Sequence, residues 1–194
     1  MLKVASYDIV FQEIPGEVTL ALNLSGCPCH CKGCHSTHLW EDIGEVLDEE
    51  LLSGLLDRYG QMITCVAFMG GDQAPEEVAH WVEYVKSTPT LEGRAGEGVP
   101  LRTAWYSGRP ALPECLTPED GLTAERSYSA NGLAGTLASG PFDYIKLGPY
   151  IESLGGLKSE KTNQRLYKRV GQGTAESPFK WEDITSVFWK KRFE

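Results

Sequence analysis

The sequence predicts an α/β protein built on a mostly parallel sheet. Two observations carry that prediction. Strand-period and helix-period segments alternate through residue 88, and a cysteine-rich loop starts where the first strong strand ends. Val18, Leu20, Leu22 and Leu24 alternate with Thr19, Ala21 and Asn23, a period of two with one bulky face and one small or polar face. Small side chains along one face suit a sheet that curves around a ligand.

The other elements follow in order. A strand is expected around Tyr7–Phe11, ended by the turn signal Pro15-Gly16. From Leu47 the period becomes helical: Leu47, Leu51, Leu52, Leu55, Leu56 and Tyr59 share a face, Asp48, Glu49 and Glu50 fill the first turn, and Gly60 marks a stop. Ile63–Phe68 reads as a strand running into Gly70-Gly71-Asp72. Pro75 opens a second helix with the stripe Val78, Trp81, Val82 and Val85. This β-α-β-α order implies parallel pairing. Leu101–Tyr106 and Phe142–Leu147 are further strands, and Leu91–Pro100 is a Gly- and Glu-rich loop. Residues 109–140, with Pro110, Pro113 and Pro118, read as an irregular insertion in a single 1–194 domain. The C-terminal extension, 169–194, carries Trp181, Phe188, Trp189 and Phe193 and is expected to pack back on the domain.

Composition narrows the function classes. A formal net charge of −9 leaves no basic face for phosphate contacts, so nucleic acid is not an expected partner. Lys190-Lys191-Arg192 is the only dense cationic run. Lys3 interrupts the start too early for a signal-peptide core, and no run approaches the roughly 20 apolar residues of a membrane span. A cytoplasmic location is therefore expected, where clustered cysteines read as metal-binding or catalytic.

Four of the six cysteines fall between Cys27 and Cys34, after Ser25-Gly26. Cys65 and Cys115 stand alone and read as buried small hydrophobes. The loop with His30, His35 and His38 has enough ligand types for structural zinc. Such sites usually join two separated ligand pairs, and no second pair exists here. An iron–sulfur cluster is the better reading, because one loop can supply several of its thiolates. The C-x3-C-x2-C register takes Cys27, Cys31 and Cys34 and leaves Cys29 over, although spacing alone does not exclude Cys29.

C-x3-C-x2-C after an early strand resembles the signature of radical S-adenosylmethionine (SAM) enzymes. The resemblance extends to the activating component of anaerobic ribonucleoside-triphosphate reductase. It rests on Ser25-Gly26, Gly33 before the last cysteine, Ser36–Trp40, Gly70-Gly71-Asp72, Tyr106-Ser107-Gly108, Lys146–Tyr150 and Thr162–Tyr167. The match covers roughly residues 7–168 in the family's order; His35 stands where an aromatic residue is often found. The resemblance implies a compact partial (β/α) barrel. It implies that Cys27, Cys31 and Cys34 hold a [4Fe-4S] cluster whose fourth iron takes SAM; Cys29, left over by the register and not explained by the resemblance, is expected to be a spectator. It also implies that Gly70, Gly71 and Asp72 meet the methionyl end of SAM, and Tyr106, Ser107 and Asn163 its adenosine.

The implied reaction is one-electron cleavage of SAM to methionine and a 5′-deoxyadenosyl radical, which takes a hydrogen from a glycine of the large reductase subunit. The electron donor would be a flavodoxin or ferredoxin. Lys146, Arg165 and the aromatic tail are candidates for the docking surface. The alternatives are a radical SAM enzyme acting on a small molecule, similar to 7-carboxy-7-deazaguanine synthase, and a zinc-stabilised interaction module.

Overall fold

The computed structural model describes residues 1–88, 100–112, 142–171 and 179–189. Cys115, Phe193, the 190–192 cationic run and most of the 109–140 insertion lie outside the described residues. Eight strands form one sheet: β1 (Lys3–Val10), β2 (Thr19–Leu24), β3 (Glu45–Val46), β4 (Cys65–Met69), β5 (Arg102–Tyr106), β6 (Tyr144–Leu147), β7 (Arg165–Val170) and β8 (Lys180–Asp183). Two α-helices accompany them among the described residues, α1 (Glu49–Tyr59) and α2 (Pro75–Ser87). The Asp48 carboxylate caps α1 by accepting from the Leu51 amide at 2.9 Å.

The strand order is β3-β1-β2-β4-β5-β6-β7-β8. The four middle strands, β2, β4, β5 and β6, run parallel. Both flanks are antiparallel: β1 pairs with β2 and β3, and β7 with β6 and β8. The expectation of a mostly parallel sheet is thus corrected to a parallel centre with antiparallel wings. The reason lies in the connections. Parallel neighbours need a crossover, which α1 provides between β2 and β4 and α2 between β4 and β5, whereas antiparallel neighbours accept short returns. One such return is the turn after β1, closed by Glu17 N–H donating to Ile14 O at 3.1 Å.

The faces of the parallel centre differ as the β2 pattern predicts. Leu20, Leu22, Val66, Phe68, Trp105 and Ile145 point to the side holding the buried stripes of α1 and α2. Cys65, Ala67, Ala104, Tyr144 and Leu166 point to the other, where Ile14, Leu157 and Phe188 join them. Ala21, Ala67 and Ala104 stand side by side across β2, β4 and β5, giving this inner face a shallow floor. The described part of the C-terminal extension packs back: β8 extends the sheet, Trp181 is buried, and Trp189 Nε1–H donates to Leu157 O at 3.0 Å.

At the amino edge of the parallel strands, Asp143 is a buried carboxylate ringed by cations. Lys86 hydrogen-bonds it, Arg169 lies at 3.3 Å and Arg102 at 3.9 Å, and Thr103 N–H donates to it at 2.9 Å. Among the described residues, no helix is long and apolar enough to cross a membrane.

Candidate metal centre

Parallel strands bring their carboxyl ends to one edge, the usual place for chemistry in α/β sheets. From that edge of β2, β4, β5 and β6 leave Ser25–His35, Gly70-Gly71-Asp72, Ser107-Gly108 and Gly148-Pro149. The cysteine loop is tied at its root. Ser25 N–H donates to Lys3 O (3.0 Å), Cys27 N–H to Leu39 O (2.9 Å), and Gln73 Nε2 to Ser25 O (2.7 Å). At its far side Cys34 N–H donates to Cys31 O (3.1 Å), and Ser36 N–H reaches Cys34 Sγ (3.4 Å). His30 turns the chain with φ +43°, and its ring packs on Trp40 with centroids 4.8 Å apart. All four loop cysteines are half-buried free thiols.

Asp72 is the fixed point of the site. It is 1% exposed. Ser107 Oγ–H donates to Oδ1 at 2.5 Å, Gly108 N–H to Oδ2 at 3.0 Å, and Arg109 donates to the Asp72 carbonyl at 2.6 Å. Gly71 permits the turn: at φ +85°, a Cβ there would lie 2.6 Å from Val78 Cγ2 on α2. The Cys29 thiol points at the same carboxylate, with Sγ 3.9 Å from Oδ2. Donor atoms of Cys27, Cys29 and Asp72 all lie within 4.8 Å of one another. Burial first, then Asp72 and Cys27, pushes the Cys29 thiol up to about 12.

Cys31 and Cys34 fall outside that trio. Cys34 lines a cavity of about 610 Å³ on the inner face, with His35, Tyr106, Lys146, Tyr150 and Gln164. His35 packs against Tyr150 at 5.4 Å, so this histidine acts as a ring in the wall. The Tyr106 hydroxyl donates to Glu13 O, and burial raises its pKa. Asn163 sits behind the wall: Nδ2 donates to Pro149 O at 2.9 Å, while Oδ1 is buried without a partner. Its neighbour Gln164 lines the cavity instead and reaches Gly148 O at 3.3 Å.

Lys146 corrects the sequence reading most. Expected on a docking surface, it is 8% exposed and lines the cavity. Its ammonium donates to Gly148 O at 2.7 Å and Ser107 O at 3.2 Å. Burial lowers its pKa to about 8, against the opposite pull of Asp72 and of Cys31, Cys29 and Cys27. The signal was present in the sequence, since Lys146 shares the inner-face parity of Tyr144. Arg165, the other docking candidate, is engaged by the Thr162 and Gln164 carbonyls and by Asp183. Arg109 was not singled out by the sequence and holds the Asp72 turn.

Sulfur-rich donors on one anchored loop, a buried cation facing them and a cavity alongside suit a thiolate-held cluster. A family described as a 4Fe-4S single cluster domain matches residues 15–92. That likeness supports an iron–sulfur cluster site within the matched stretch. The matched stretch holds β2, the cysteine loop, α1, β4, the Gly-Gly-Asp turn and α2. No curated protein and no solved structure matches the chain.

Proposed function

We propose that the protein is a radical SAM activase that forms a glycyl radical on anaerobic ribonucleoside-triphosphate reductase. The observation that supports this most directly is the meeting, at one sheet edge, of the cysteine loop, the Asp72 turn and the Ser107-Gly108 turn beside a cavity. In this reading the parallel centre is the core of a partial barrel, with Ala21, Ala67 and Ala104 as its floor. Cys27, Cys31 and Cys34 hold the cluster. When bound, the cluster supplies the low-potential electron that cleaves the SAM sulfonium.

The protein's own residues hold and orient. Asp72 offers a carboxylate acceptor to the N–H groups of the methionyl amino group, its position fixed by Ser107, Gly108 and Arg109. Lys146 places a positive charge beside the thiolates without a carboxylate in hydrogen-bond contact. Tyr106, His35, Tyr150 and Gln164 wall the cavity for the adenosine end and limit water. In the overall reaction, one hydrogen atom would pass from a glycine Cα to the adenosyl carbon of SAM, giving methionine, 5′-deoxyadenosine and the glycyl radical.

A protein substrate is favoured over a small molecule by the cavity's surroundings. It shares Gln12, Lys158 and Phe188 with a second hollow of about 480 Å³ bordered by Phe11 and Val187. Phe11 is 68% exposed and Val187 is 41% exposed. A groove with apolar rims leading to the site suits an extended loop. Phe11→Ser is expected to leave uncoupled SAM cleavage unchanged and to lower glycyl-radical yield about tenfold, the effect of losing roughly 1.4 kcal/mol of docking energy. Equal yields from variant and wild type would remove this face from the docking surface.

The whole reading is tested by anaerobic reconstitution, metal analysis and electron paramagnetic resonance with SAM and the reductase. About four irons per chain and a glycyl doublet on the reductase are expected. Stoichiometric zinc without iron would overturn it, as would SAM cleavage stimulated by a pterin and not by the reductase.

A further inference from the structure

The sequence leaves Cys29 over, but the fold does not leave it idle. Its thiol is half-buried. It points at Asp72, the residue assigned above to the methionyl amino group, and lies with Cys27 and Asp72 in the only group of three metal-ligating donors found among the described residues. These donors come from two turns, after β2 and after β4, so the grouping is not a product of sequence proximity alone.

Two further features accommodate the thiol. Gly108 closes the third turn directly over it: a Cβ at position 108 would lie 2.5 Å from Cys29 Sγ and 3.3 Å from its Cβ. Only glycine leaves that space, and the Gly108 φ is not in the left-handed range, so the requirement is for room and not for backbone conformation. On the other side, His30 adopts φ +43°, unfavourable for a residue with a Cβ, and its ring is held by Trp40. This left-handed residue lies between Cys29 and Cys31 and lets the two neighbouring cysteines take separate directions. The Cys29 thiol therefore fills the space beside Asp72 that the amino-acid end of SAM would need.

We propose that Cys29 is an exchangeable internal ligand: before SAM arrives, its thiolate caps the iron that the three other cysteines leave open. The inference rests on the activase reading and deepens it. The exchange is a ligand substitution with no change of oxidation state. Cys29 gives its proton to water as its sulfur–iron bond forms. When SAM takes that position through its carboxylate and amino groups, its ammonium gives up one proton as the nitrogen–iron bond forms, the Cys29–iron bond breaks, and the released thiolate takes up one proton. The consequence is a resting state shielded from oxygen and small oxidants at its most reactive iron, with SAM affinity reduced by the competition.

The test compares reconstituted wild type, Cys29→Ala and Cys29→Ser by Mössbauer spectroscopy without and with SAM, together with SAM binding by equilibrium titration. All three are expected to hold about four irons, because three cysteine ligands remain. Without SAM, wild type should show four equivalent sulfur-ligated irons, and Cys29→Ala one distinct iron that cannot be all-sulfur-ligated. With SAM the two spectra should converge. Cys29→Ala should bind SAM about tenfold more tightly, since the internal competitor is gone, and Cys29→Ser should fall between. Identical SAM-free spectra and equal SAM affinities in wild type and Cys29→Ala would overturn the inference while leaving the activase reading intact. Loss of all iron from Cys29→Ala would overturn it too, because Cys29 would then be a permanent ligand. Failure of wild type to load iron or cleave SAM would instead count against the activase reading itself.

Discussion

Cys31→Ala and Cys34→Ala are each expected to abolish SAM cleavage, a loss beyond the roughly 10–100-fold that removing an outer-shell partner of a metal costs. Each leaves only two of the three assigned ligands, and Cys29 cannot replace either. Its thiol is committed to the Asp72 side of the loop, with Gly108 closed over it, while Cys34 faces the cavity and is held there by the Ser36 amide. Iron content and the cluster's visible absorption should fall together in both variants. The fold should survive, since neither cysteine is part of the buried clusters on the two faces of the sheet. Circular dichroism separates the outcomes: a native spectrum with no cluster supports the assignment. A variant that retains four irons and full cleavage would remove that cysteine from the ligand set.

Lys146→Met is expected to stabilise the metal-free protein and to weaken cluster loading. Burial lowers the lysine's pKa from 10.5 to about 8. Below pH 8 the folded protein carries the full cost of that buried charge, roughly 3 kcal/mol at 1.36 kcal/mol per unit. Between pH 8 and 10.5 the unfolded chain holds the proton and the folded chain does not, so stability rises with pH through this window. Methionine fills a similar volume without charge but cannot donate to the Ser107 and Gly148 carbonyls, each bond contributing about 1 kcal/mol. The net gain should be about 1–2 kcal/mol at pH 7, shrinking towards pH 10. Urea denaturation of both proteins at pH 7, 8.5 and 10 measures it. A Met variant that is less stable at pH 7, with a gap that does not change with pH, would contradict this account. With thiolates and sulfides in place, the same charge becomes favourable, and iron retention under chelator should be weaker in the variant.

The sequence made β2, α1, β4, α2 and β5 legible because their apolar period is strong and their breaks carry glycine or proline. Observed bounds differ from the expected ones by a residue or two. The wings were harder. In β7, Arg165, Lys168 and Arg169 interrupt the apolar alternation, and β8 buries only Trp181 of Lys180–Asp183. Strands near a sheet margin keep one wet face, so hydrophobic period does not announce them. β1 was expected over Tyr7–Phe11 and begins instead at Lys3, because its polar residues tolerate an outer position beside the two-residue β3.

In the site, motif chemistry found the Cys27–Cys34 loop and Asp72, each a local string. What it missed was pairing at long range. Ser107, Gly108 and Arg109 hold Asp72 from 35 to 37 positions away. Lys146 looked like a surface charge because its burial depends on Gly148 and Ser107 folding over it. Asn163 was chosen for its motif, yet the cavity wall falls to Gln164, one residue along.

The charged knot around Asp143 has a consequence for how the protein can change. Thr103 binds Asp143 at one end of β5 and Ser107 binds Asp72 just beyond the other, four residues or roughly 13 Å apart along an extended strand. Two nearly invisible carboxylates thus anchor opposite rims of the same strand and share no partner among the described contacts. Alterations at the two rims should combine additively, within the few tenths of a kcal/mol typical of sites this far apart. The chain can therefore explore new chemistry at one rim while drawing its mutational robustness from the other.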